Sequence, residues 1–171
     1  MLRSIPFLVM MIFVKTVYAE PKTFDSWVAD SNASEGKYFA ATVNDSGNLL
    51  GQYCFTGTGS CMWLIGAKSS CEKGSTYPIL VNADTGAAQL SVTCNGRVNS
   101  DLYEYMFTEF AAIDAIIRNA KRVGFAVPLQ GDEFMVYRFS LQGSIAALTV
   151  MRAIAEGMTK PVVRSTRDQR L

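Results

Sequence analysis

The clearest signal along the chain is an alternation of apolar and polar positions in short blocks, separated by turns rich in glycine, asparagine and serine. That is the pattern of half-buried strands. GKYFAATV, Gly36 to Val43, is followed by the turn NDSGN and by NLLGQYCF, which reads as its hairpin partner, because Asn and Gly supply the positive-φ positions that such a turn needs. The polar turn TGTGS, Thr56 to Ser60, leads into SCMWLIGA, a third strand rich in bulky residues. YPILVNA, Tyr77 to Ala83, is a fourth, and in AAQLSVTC the residues Ala88, Leu90, Val92 and Cys94 share one face while Gln89, Ser91 and Thr93 share the other. DLYEYMF, Asp101 to Phe107, completes the set before the period changes.

After Thr108 the apolar spacing lengthens to three and four, with Phe110, Ile113, Ile117 and Ala120 on one stripe and Asp114 and Arg118 as an i,i+4 pair. This predicts an amphipathic helix to about Arg122. VGFAVPLQG then aligns Val123, Phe125, Val127 and Leu129, and FMVYRFSL aligns Met135, Tyr137, Phe139 and Leu141, so a hairpin fits the two. Ser144 can cap a last helix that turns Ile145, Leu148, Met151 and Ala155 inward, with Gly157 ending it. The expected class is α+β: an antiparallel sheet or two-sheet β-rich domain with two amphipathic helices in the C-terminal half. Residues 107–155 hold the larger apolar groups and are expected to carry the main core. Residues 36–94, with Ala40, Ala41, Gly51 and Ala88, are expected to lean more on cross-links.

The ends differ from this patterned middle. MLRSIPFLVMMIFVKTVYA has one early cation, Arg3, an apolar block from Phe7 to Val14, and a small residue at Ala19, the order of a secretory signal peptide over 1–19. The apolar block is far shorter than the roughly 20 residues a membrane-spanning helix needs, so no stable transmembrane anchor is expected. Residues 20–157 then form a single domain, and 158–171 a basic flexible tail with Lys160, Arg164, Arg167 and Arg170 against Asp168. A cationic arm for an anionic surface is the sharper reading of that tail. The expected location is periplasmic or secreted.

Compartment decides what the four cysteines do. In an oxidising space they read as two disulfides, with three connectivities open in principle. Zinc fits poorly, because the intervening gaps are six, nine and twenty-two residues and the chain has no histidine; no metal and no cofactor is expected. No C-x-x-C pair suggests redox chemistry. Cys54 and Cys61 flank the turn between two adjacent strands, where opposed Cα atoms lie about 4.5 to 5.5 Å apart, so they are expected to pair. Cys71 is left to tie its loop to Cys94 on the alternating strand.

The absence of histidine excludes Ser-His-Asp and Cys-His nucleophile systems. The adjacent Asp132 and Glu133 read as a turn signal and not as an acid–base pair. No catalytic residue is therefore assigned, and Trp63 and Tyr77 are the candidate ligand-facing aromatics. Loss of Arg3 and Lys15 with the signal segment moves the formal net charge from +1 to −1, and no basic cluster with interleaved aromatics suggests nucleic-acid binding. The sequons at Asn32 and Asn44 matter only in a glycosylating cell.

The segment FSLQGSIAAL, Phe139 to Leu148, resembles the C-terminal signature of the invasion-associated locus B family of small exported bacterial proteins. The early Trp27, the cysteine-bearing hairpin and the amphipathic helix before that segment are similar in order. The resemblance implies a periplasmic or envelope-associated bacterial protein with no catalytic residues to carry over. The expected function is that of a non-catalytic, disulfide-stabilised envelope protein that binds an envelope or extracellular protein or glycan partner through a sheet face or edge. The alternative is a carboxylate-based hydrolase, for which Asp84, Glu104, Asp114, Asp132 and Glu133 are the raw material and which would need two of them facing across a cleft at roughly 5 to 10 Å.

Overall fold

The computed structural model describes residues 20–32, 36–55, 58–99, 101–129 and 133–159. The signal segment 1–19, the tail from 160 onward and Asp132 lie outside the described residues. The elements are β1 (Lys22–Phe24), β2 (Trp27–Asn32), β3 (Lys37–Val43), β4 (Leu49–Phe55), β5 (Cys61–Ala67), β6 (Thr76–Ala83), β7 (Gly86–Arg97), β8 (Tyr103–Phe107), α1 (Phe110–Asn119), β9 (Arg122–Pro128), β10 (Phe134–Ser140) and α2 (Ser144–Thr159).

All ten strands belong to one sheet in the order β1-β2-β3-β4-β5-β8-β7-β6-β9-β10, and every neighbouring pair is antiparallel. The α+β expectation is therefore corrected: the chain is mostly β. Two strands, β1 and β2, carry too few alternating apolar residues to be read from the sequence. The two helices form no layer of their own; α2 packs on β1 to β4, and α1 packs on β5 and touches α2. Helix α2 also runs past Gly157, which was expected to end it.

The sheet curls until its ends approach. The buried Trp27 on β2 donates its indole N–H to the Ser140 carbonyl at the end of β10 (3.0 Å), and the Asn44 amide donates to the Arg138 carbonyl (3.2 Å). Small residues on the inner face, Ala29 and Ala40, leave room beneath β2 and β3 for Ala147, Leu148 and Met151 of α2; all five are buried in one core. Gly143 makes the turn into α2 at φ +87°, where a β-carbon would collide with the Phe24 carbonyl. Glycine is required there on both counts. The core does not sit mainly in the second half, as expected, because Trp27, Leu50, Trp63 and Ile65 from the first half are all fully buried. Trp27 and Trp63 meet edge to face with centroids 6.3 Å apart, while Phe125 contacts both Phe107 and Phe139 at 5.4 and 6.0 Å.

A polar node joins the helices to this core. Gln52 and Trp63 are cross-strand partners on β4 and β5 that turn an amide and an indole N–H inward. Asp114 of α1 accepts from Trp63 Nε1 (3.1 Å) and is ion-paired with Arg152 of α2, whose Nε donates to Gln52 Oε1 (2.7 Å). The expected i,i+4 partner Arg118 lies farther off, at 3.9 Å. A partly buried ion pair with its remaining lone pairs satisfied is costly to break on one side only, since the surviving charge and the indole N–H lose their partner. Asp114→Ala is expected to cost about 2 to 3 kcal/mol, read as a lower midpoint in urea unfolding with an unchanged m-value. An unchanged midpoint would mean that the node holds nothing together.

Candidate functional site

The cysteines act as staples. Cys54 and Cys61 are opposed residues on β4 and β5 with Cα atoms 4.0 Å apart, and they are bonded to each other. Cys71 is bonded to Cys94 of β7 across 6.0 Å between Cα atoms. The loop carrying Cys71 is pinned further. Tyr105 donates its hydroxyl to the Ser69 carbonyl (3.1 Å), Ser69 Oγ contacts the Tyr137 hydroxyl (2.5 Å), and Tyr77 accepts the Glu72 N–H (3.1 Å). Burial pushes the Tyr105 phenol above its ordinary value, so it stays protonated and donating.

These contacts reassign both aromatics singled out from the sequence. Trp63 has no exposed surface, and its indole N–H is taken by Asp114. Tyr77 is half-buried, packs edge to face on Tyr105 and anchors the loop. The carboxylates proposed for hydrolysis have structural partners as well. Asp114 belongs to the inner node, Glu104 accepts from the Asn95 amide (3.4 Å), and Asp84 accepts the backbone N–H groups of Lys121 (2.9 Å) and Arg122 (3.3 Å). Glu133 is exposed at the start of β10, and Asp132 is not described.

What the structure brings together instead is a groove of about 1100 Å³ on the outer face of β6, β9 and β10. Register makes it. Leu80, Ala126 and Val136 stand in one cross-strand row, and Asn82, Gly124 and Arg138 in the next. The small residues of β9 form a floor between larger ones on either side. Leu80 and Val136 are 55% and 41% exposed, and Phe134 continues the apolar surface on the same face of β10 at 61%. Lys121, Arg122 and Arg138 line the same groove, with Asp84 as the anion among them. The sequence reading missed this site, although its signal was present. With Tyr137 and Phe139 turned inward, Phe134 and Val136 must face outward beside Arg138, and apolar side chains on both faces break the alternation of a half-buried strand.

The groove borders an open sheet edge. Leu129 N–H donates to the Glu133 carbonyl and Leu141 N–H to the Lys121 carbonyl, which fixes the hydrogen-bonded pairs of β9 and β10 as 127 with 135, 125 with 137 and 123 with 139. The backbone groups of Phe134, Val136, Arg138 and Ser140 therefore point away from β9. The carbonyls of Arg138 and Ser140 are taken by Asn44 and Trp27. Among the described residues, nothing takes those of Phe134 and Val136.

No protein-family model matches the chain, and no curated protein matches it. Among solved structures it is similar to the crystal structure of invasion associated protein b from Bartonella henselae, with 15% sequence identity, a TM-score of 0.60, and coverage of 81% of this chain and 99% of that one. At that identity the likeness concerns the fold. The resemblance suggested by FSLQGSIAAL is thus met as a structural one. Among the described residues no helix is long and apolar enough to cross a membrane.

The Asp84 contact has a pH signature. Its carboxyl is held below the ordinary 3.8, first by the Lys121 N–H. A carboxyl depressed in the folded state adds stability while ionised, and that contribution disappears as pH falls through the folded value. The stability gap between the wild type and Asp84→Asn is expected to be full at neutral pH and to close below about pH 4, read from thermal midpoints across a pH series. A gap that persists undiminished to about pH 2 would contradict this role for the carboxylate.

Proposed function

We propose that the chain is an exported, periplasmic or secreted protein that binds a partner protein through the outer groove of β6, β9 and β10, and that it performs no catalysis of its own. The observation that carries this reading is the row Leu80, Ala126 and Val136, an apolar strip left in water on the outer face and flanked by Lys121, Arg122 and Arg138. Apolar surface of this kind with a polar rim is characteristic of interaction sites. Two further features support it. The signal-like order of residues 1–19 and the two disulfides suit an oxidising compartment, and the solved protein of similar fold is called invasion associated. A protein is favoured over a glycan as partner because the strip offers aliphatic side chains bordered by an open strand edge, and the two aromatics once assigned to a ligand are occupied elsewhere.

The test is capture from envelope extract by immobilised mature protein, with the wild type set against the double variant Leu80→Asp and Val136→Asp. Both positions are exposed, so stability should shift by less than about 1 kcal/mol. The captured species should be lost from the variant. Equal capture by both proteins would rule out this groove as the binding surface.

A further inference from the structure

We infer that the occupant of this site is an extended acidic segment of another protein, which adds to β10 as an eleventh strand over Phe134–Val136 and lays its outward side chains beside Phe134 and Val136 at the rim of the groove. The inference rests on the partner-binding reading and specifies the mode of binding. Three observations converge on it. The free edge of β10 is divided. Its far half is closed by the Asn44 amide on the Arg138 carbonyl and by the Trp27 indole on the Ser140 carbonyl. Its near half presents the N–H and C=O groups of Phe134 and Val136, a template for up to four backbone hydrogen bonds. The most exposed apolar residues of the strand, Phe134, Met135 and Val136, lie on that open half.

Charge then selects the occupant. Arg138 follows Val136 on the outer face of β10, while Lys121 and Arg122 lie farther along the groove, where Arg122 pairs with Ser140 and the carboxylate of Asp84 is engaged by two backbone N–H groups. Side chains two apart on an added strand share a face, so residues packed beside Phe134 and Val136 should be apolar and the next in the row, near Arg138, acidic. A second copy of this chain would bring another cationic groove to the same edge, which like charges oppose.

The probe is a capped nine-residue peptide, Thr-Glu-Thr-Glu-Thr-Val-Thr-Val-Thr, which carries its Glu and Val side chains on one face; it bears a fluorophore, is titrated with the mature, oxidised protein and is followed by anisotropy. It should bind at least about tenfold more tightly than its Val–Lys counterpart, and full backbone N-methylation should abolish binding. Val136→Pro removes an N–H that points away from β9, so the strand should remain paired while peptide affinity falls at least about tenfold. Arg138→Glu should reverse the preference between the Glu and Lys peptides. The inference is overturned if the N-methylated peptide binds as well as the parent, or if the Lys peptide binds equally. It is also overturned if sedimentation shows the edge paired with a second copy in a dimer that Val136→Pro dissolves. If the Val–Glu peptide fails to bind while the Leu80→Asp, Val136→Asp variant still loses its captured partner, strand addition is wrong and the groove reading survives.

Discussion

The bond from the Trp27 indole N–H to the Ser140 carbonyl is the constraint on which the rest of the molecule depends. A ten-stranded antiparallel sheet twists, and its end strand β10 would otherwise present a long unpaired edge. Here the far half of β10 is held to the other end of the sheet by side chains and not by a strand ladder. Ser26 Oγ donates to the Gln142 carbonyl (2.9 Å) and Asn44 to the Arg138 carbonyl, beside the tryptophan. This closure delivers the chain to Gly143 beneath Phe24, and only from there can α2 run under β1 to β4. It also stops short. Side-chain donors reach Arg138 and Ser140 and, among the described residues, leave the other half of β10 open, so the means of closing the sheet and the open half of its edge are one fact seen from two sides.

Inside, the same economy of polar groups appears. Gln52 is fully buried in the middle of β4, a position that would be unfavourable without partners. Its carbonyl oxygen accepts from Arg152, which in turn pairs with Asp114, and Asp114 also accepts the Trp63 N–H. Each group is satisfied by another from a different element, so β4, β5, α1 and α2 share one arrangement. Asp84 does similar work at the surface by holding the start of β9 to the turn after β6. Asp84 and Asp114, two of the carboxylates considered for hydrolysis, thus each hold neighbouring elements together.

Local pattern carried most of the strand assignments. β3 to β10 follow the blocks of alternation, and the 54–61 bridge follows from a short turn between adjacent strands. What local pattern could not carry is anything set by contacts distant along the chain. β1 has three residues and β2 ends in Asp30, Ser31 and Asn32, so neither shows a period, and the partner that makes Trp27 structural is 113 residues away. Trp63 and Tyr77 look like ligand aromatics only until Asp114 and the Cys71 loop arrive from elsewhere in the chain to use their polar ends. The groove is the converse case. Phe134, Val136 and Arg138 were present in FMVYRFSL as an outward face that is partly apolar, but the floor of Gly124 and Ala126 and the far wall of Leu80 depend on β6 pairing with β9, a register no single segment encodes.

The central claim is that β10 is closed in one half and open in the other, and amide hydrogen exchange of the free mature protein measures this residue by residue. Met135, Tyr137 and Phe139 face β9 through hydrogen-bonded pairs and should be strongly protected, whereas Phe134 and Val136, which alternate with them, should exchange at rates near those of an unstructured chain. If the Phe134 and Val136 amides are as protected as that of Tyr137, the edge is already paired and the account of an incompletely closed sheet is wrong.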